Sequence, residues 1–116
     1  LAVLAAMLPA LKVREERMRT ASTAGFTLAT ELADYLATKA VPFRDAHGIV
    51  GSIVQHCVRE GLGLEDLSLE QLRAFSPRFE ADVRRWLTAD AAVRRRRATG
   101  GTSPSNVRSQ IGRAER

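Results

Sequence analysis

Apolar side chains recur every three or four residues along most of the chain, and no sustained run alternates in twos. That period belongs to amphipathic helices, not strands, and neither Asn-Gly nor Asp-Gly is present to signal a hairpin. Leu4, Met7, Leu8, Leu11 and Met18 mark a first helical stretch over about residues 2–19. Pro9 is expected to bend or interrupt it, since proline lacks a backbone donor and crowds the preceding turn. The later half, "KVREERMR", reads as solvent-exposed. A second helix is predicted from Ser22 or Thr23 to near Lys39, with Phe26, Ala29, Leu32, Ala33 and Leu36 on its buried face. Pro42 disfavours helical geometry at Val41. A third helix then runs from about Pro42 to Arg59, burying Ile49, Val50, Ile53, Val54, Cys57 and Val58, with Gly61 as its C-terminal cap.

Turn and cap chemistry divides the rest of the chain. "SLEQ", Ser68 to Gln71, has the form of a capping box. Ser76-Pro77 and Ser103-Pro104 each read as a cap followed by proline at the first helical position. Thr88 is expected to begin a helix that Gly100-Gly101 ends, and the tail after about Gln110 to fray. The expected fold class is all-α, a small multi-helix domain with short helices arranged around the second and third.

Composition changes this picture little. A length of 116 residues suits one domain, and 45% hydrophobic with 27% charged residues is ordinary for a globular protein. Aromatics are few, so aliphatic side chains must supply most of the burial. The one cysteine, Cys57, excludes an internal disulfide and fits a reducing compartment as a small buried hydrophobe. The apolar opening, "LAVLAAMLPALKV", is shorter than the roughly 18–20 residues of a membrane span. Its basic residues follow the apolar run, the reverse of a secretory leader. A cytoplasmic protein with no membrane partner is expected. The missing initiator Met makes a fragment a natural reading.

The net charge of +5 raises the question of a nucleic-acid partner. Its excess is concentrated in Arg94, Arg95, Arg96 and Arg97, after Arg84 and Arg85. On a helix each residue turns about 100°, so four consecutive arginines fan around the axis and form no groove-facing stripe. A helix end whose cations offset the dipole is the simpler expectation, and no aromatic side chains interleave for base stacking. A free-standing basic helical module contacting nucleic acid or a protein partner is the alternative reading.

"VPFRDAHGIVG", Val41 to Gly51, is the stretch that most invites a chemical reading. Asp45 and His47 are two residues apart, so helical geometry turns their side chains about 200° from each other. They do not make the oriented carboxylate–imidazole pair of a general base. Structural roles suffice: Pro42 sets the turn, Phe43 anchors it in the core, Asp45 meets the helix dipole, and Arg44 reaches along the surface. His56 has Glu60 as its i+4 partner, an ordinary surface pair. Two histidines and one cysteine do not form a structural zinc set, and no serine sits in a G-x-S-x-G elbow. No catalytic, cofactor-binding or metal-ligating residue is assigned.

Three blocks, "ELADYLATKAVPFRDAHGIVG", "LEDLSLEQLRAFSPRFEADV" and "GGTSP" closely followed by Val107, together resemble the C-terminal domain of argininosuccinate lyase. "LKVREERM" is similar to the end of that family's central helical bundle. The resemblance implies residues 1–20 as the end of a long bundle helix and residues 21–116 as the C-terminal helical domain. It implies the aspartase and fumarase superfamily, cleavage of argininosuccinate to arginine and fumarate by β-elimination, and a homotetramer with active sites shared between subunits. The family's serine loop and catalytic histidine lie in blocks this chain lacks, so no catalytic residue carries over. Gly48 stands where the family more often has a larger polar residue, and "AAVRRRRATGG" carries more arginine than usual.

Overall fold

The computed structural model describes residues 1–116, and every regular element in it is helical. Helix α1 spans Ala2–Met7 and α2 spans Glu15–Thr23. Pro9 lies in a single 3₁₀ turn, Leu8–Ala10, after which Leu11 is extended, so the first stretch is interrupted where proline demands it. All residues from Leu1 to Gly25 are exposed. This arm explains the elongated shape, 53 × 30 × 22 Å, and a radius of gyration of 17.8 Å, against about 13 Å for a compact chain of this length.

Helix α3, Ala29–Thr38, and helix α4, Phe43–Glu60, form the centre. Ser22 and Thr23 end α2 and do not begin α3; a turn with Gly25 at φ 64° separates the two helices. Leu32, Ala33, Tyr35 and Leu36 of α3 are buried against Ala46, Val50, Ile53 and Cys57 of α4. The α4 residues recur at four, three and four positions, the spacing of one helix face. Val58 falls off that stripe and is 64% exposed, contrary to the pattern read from sequence. Phe43 is likewise exposed, at 54%, and does not anchor the turn. Ala46, one turn on, occupies the core position, and its amide closes the first α4 hydrogen bond on Pro42 O at 2.9 Å. Gly61, in the left-handed region at φ 67°, ends the helix as expected.

The remaining chain wraps this pair. Leu64 and Leu67 enter the core beside helix α5, Leu69–Phe75, whose N-cap Ser68 makes the full reciprocal box with Gln71. Ser76-Pro77 begins no helix. The Ser76 hydroxyl instead accepts from Arg78 N, Phe79 N returns to Ser76 O, and the turn carries Phe79 into the core. Phe79 stacks on Tyr35 at 5.9 Å, and Trp86 meets the same ring edge-on at 5.5 Å. A 3₁₀ segment, Ala81–Arg85, contributes Val83, while the Arg84 guanidinium donates to Glu65 O and Leu67 O at 3.0 and 2.7 Å. Helix α6, Ala89–Arg95, is capped by Thr88 but ends well before the glycine pair. Helix α7, Pro104–Ala114, is capped by Ser103 and stays helical beyond Gln110, where fraying was expected.

Candidate functional site

Two features of the wrapped module merit a chemical reading: a groove between α3 and α4, and an ion cluster where α6 returns to α3. The groove, about 370 Å³, is walled by Ala29, Ala33, Val50 and Val54, with His47, Thr30 and Gln55 at its edges. Its floor is apolar because these residues share the facing stripes of the two helices. His47 is exposed and packs its ring beside Phe43, 6.3 Å between centroids. Asp45 does not engage it, as the helical spacing dictates. His56 turns to Phe75, at 5.6 Å, and forms no ion pair with Glu60, so the expected i+4 pairing is replaced by an aromatic contact. Burial of α4 against α5 puts the two rings together. Cys57 is fully buried, and burial pushes its thiol up from the ordinary range. No three His, Cys, Asp or Glu side chains converge as a metal site would require.

The ion cluster centres on Glu31, only 3% exposed, on the core-facing side of α3. Arg95 donates to Glu31 Oε2 through Nε at 3.2 Å and Nη2 at 2.6 Å, and to Trp86 O at 2.9 Å. Its guanidinium lies 4.0 Å over the Trp86 ring. Arg96 pairs with Glu31 Oε1 and, at 3.2 Å, with Asp34. Both oxygens of a buried carboxylate are thus satisfied by charged donors, the condition for a carboxylate to remain charged inside a protein. Arg94 pairs with Asp90 at 2.7 Å, and Arg97 Nε donates to Arg94 O. The arginine run therefore does not fan around one helix. The helix stops at Arg95, and Arg96 crosses back onto α3. Of the four cations, three are committed to carboxylates of this chain.

A second polar cluster lies at the other end of the Tyr35 ring. Tyr35 Oη donates to Asp82 Oδ1 at 2.5 Å and accepts from Glu80 N at 3.2 Å. Lys39 reaches Glu80 at 2.9 Å and Asp82 at 3.6 Å. Burial, then the bond to Asp82, raises the phenol's pKa. The phenol's hydrogen bond is also the main reason Asp82 titrates below its ordinary value. Lys39 is raised chiefly by its bond to Glu80. Neither cluster was singled out from sequence. The available signal was Glu31 itself, four residues before Tyr35 and so on the same helical face as the apolar stripe.

These clusters join elements of one module and bring no nucleophile, base and acceptor together around a cavity. No helix is long and apolar enough to cross a membrane. A family model described as "Argininosuccinate lyase C-terminal" matches residues 26–94, the span from the end of the arm through α6. The argininosuccinate lyase of Thermus thermophilus is 51% identical over 116 residues, covering 100% of this chain and 25% of that protein. Argininosuccinate lyases of Citrifermentans bemidjiense and Bordetella avium are 47% and 44% identical, over 99% and 97% of this chain. The chain spans about a quarter of the length of the curated relatives it matches. On these matches and this all-helical fold, the chain belongs to the argininosuccinate lyase C-terminal family and corresponds to the last quarter of that enzyme.

Proposed function

We propose that this chain works as the C-terminal part of an argininosuccinate lyase, which splits argininosuccinate into arginine and fumarate by β-elimination. The observation that carries the reading is near-complete coverage of the chain at 51% identity by a relative of that name. Residues 21–116 are the C-terminal helical domain, and residues 1–20 end the central bundle. Catalytic groups come from the preceding three quarters of the enzyme, and the assembled protein is a cytoplasmic homotetramer. In this division of labour the present residues are structural. The arm supports that division: its apolar side chains Leu4, Met7, Leu8 and Leu11 are all more than half exposed and suit burial between bundle helices.

Replacing the last quarter of the Thermus thermophilus relative with this chain tests the reading. The chimera should assemble and release fumarate from argininosuccinate, whereas the relative lacking its last quarter should not. A folded, tetrameric chimera without activity would refute it. The 116-residue chain alone should release no fumarate above background, and turnover abolished by His47→Ala would place catalysis within this module instead.

A further inference from the structure

The "GGTSP" segment is unused by the clusters described above, and it builds a second concavity. Gly101 is pressed so tightly over the preceding turn that an added Cβ would lie 2.2 Å from Arg96 O. Gly101 N donates to Ala98 O at 2.8 Å, Ser103 N to Arg96 O at 3.1 Å, and Asn106 Nδ2 to Ala98 O at 2.8 Å. These bonds hold the 96–101 loop against the start of α7 and leave a cleft of about 150 Å³ between them.

The chemistry of that cleft has one sign. Arg97 and Thr99 line the loop wall. Asn106, Ser109, Gln110 and Arg113 line the other, at the three-, four- and seven-residue spacing of one α7 face. No apolar side chain and no carboxylate faces it. Arg97 uses only Nε internally, on Arg94 O, which leaves both terminal nitrogens free to donate. Arg113 forms no ion pair within the chain, whereas Arg94, Arg95 and Arg96 are each paired with a carboxylate. Glu115, the acid of this segment, is two residues past Arg113 and so about 200° around the helix.

The Arg113 guanidinium and the two terminal nitrogens of Arg97, with the Thr99 and Ser109 hydroxyls and the Gln110 amide beside them, are the donor set for an oxyanion. We propose that the cleft between the 97–100 loop and α7 binds a phosphate-type oxyanion, held by Arg97 and Arg113. A tetrahedral anion presents oxygens to both walls, and the cleft, about 150 Å³ and open to solvent, has room for such a group. Occupancy would tie the loop to α7. The proposal is independent of the lyase reading.

Inorganic phosphate is the probe, titrated at constant ionic strength into the isotope-labelled 116-residue chain and followed by amide shifts. Saturable shifts confined to residues about 97–113 are expected. Arg97→Gln and Arg113→Gln should each weaken binding by about tenfold or more, as loss of a charge-assisted contact implies. Ser109→Glu, which places a carboxylate in the cleft from an exposed helix position, should abolish it. Absence of saturation, or equal affinity in Arg113→Gln, would overturn the site. A labelled DNA duplex separates the other source of phosphate groups. Duplex binding that outcompetes phosphate and is unchanged in Arg113→Gln and Ser109→Glu would assign recognition to the basic surface at large and refute the cleft.

Discussion

Removing one arginine from the Glu31 cluster should be more damaging than removing Glu31 itself. Glu31 is 3% exposed, whereas the Arg95 and Arg96 side chains are 27% and 46% exposed. Arg95→Met leaves the carboxylate buried with one charged partner in place of two. It also removes the Trp86 stacking and the bond to Trp86 O. Breaking a buried pair outright costs about 3–5 kcal/mol; with Arg96 still bound to Oε1, about 2–3 kcal/mol is expected. Glu31→Gln frees two guanidinium groups that can turn toward water, so its cost should be smaller, about 1–2 kcal/mol. Asp90–Arg94 serves as a control: its side chains are 74% and 65% exposed, and Asp90→Ala should change stability by about 0.5 kcal/mol or less.

Urea denaturation gives these differences directly. Trp86 is the sole tryptophan, so its fluorescence reports on the stacked site, with circular dichroism as the independent probe for variants that alter the stack. The loss in Arg95→Met should persist in high salt, because a buried pair is little screened, while any Asp90 effect should vanish. A double-mutant cycle of Glu31 and Arg95 should return a coupling of about 1–2 kcal/mol. If Arg95→Met stays within about 0.5 kcal/mol of wild type, Glu31 is solvated and the cluster does not hold α6 to α3.

The Tyr35 cluster predicts a stability plateau bounded on both sides. Asp82 is depressed, so its contribution is present above the ordinary carboxylate value near 3.9 and is lost as pH falls through its folded value. Tyr35 and Lys39 are both raised, so theirs are complete below about 10 and lost as pH rises through the folded values. Urea midpoints measured across pH should show Tyr35→Phe flattening the acid limb, and an unchanged limb would contradict the bond's role. Gly48, mid-helix with nothing within 4 Å of an added Cβ, should gain about 0.5–1 kcal/mol on Gly48→Ala. Gly101→Ala should lose stability and disturb amide signals of the 96–106 segment, since its Cβ would meet backbone that cannot yield.

Local signals were readable in the sequence because their physics is local. Pro42, Gly61 and the caps at Ser68, Thr88 and Ser103 act within four residues, and each sits where its chemistry requires. Ser76-Pro77 has the same local form as Ser103-Pro104, yet only the latter starts a helix. The difference is tertiary: Phe79 is drawn onto Tyr35, and Arg73 Nε takes the Phe79 carbonyl at 3.0 Å. Phe43 and Ala46 show the same limit, since either could face inward from periodicity alone, and the close approach of α3 favours the smaller. The arginine run does close α6, as expected, with Arg94 and Arg95 in its last turn, but the expectation of a solvated end fanning around one helix failed for a related reason. Its partner, Glu31, is more than sixty residues away in sequence, and only the fold reveals that Arg95 and Arg96 converge on one carboxylate. The phosphate cleft depends on a loop conformation set by Gly100 and Gly101, which composition alone did not disclose.

The arm offers the sharpest test of where the module begins. Eight large apolar residues between Leu1 and Met18 are more than half exposed. Helices α1 and α2 are six and nine residues long, below the roughly 12–15 at which an isolated helix holds its shape in water. Neither buries a residue against the core, so core packing does not stabilise them. If residues 1–20 belong to a bundle built with other parts of the enzyme, a chain starting at Ala21 should keep its full stability. The urea midpoint should shift by less than the equivalent of about 0.5 kcal/mol. Amide exchange in α3 and α4 should be unchanged, while α1 and α2 exchange rapidly in the full chain. Sedimentation should show the full chain associating more readily than the shortened one, because the apolar stripe is removed with the arm. A shortened chain that loses more than about 1 kcal/mol, or slow exchange in α1 equal to that of α4, would mean that the arm packs on its own module and that the boundary near residue 20 is wrong.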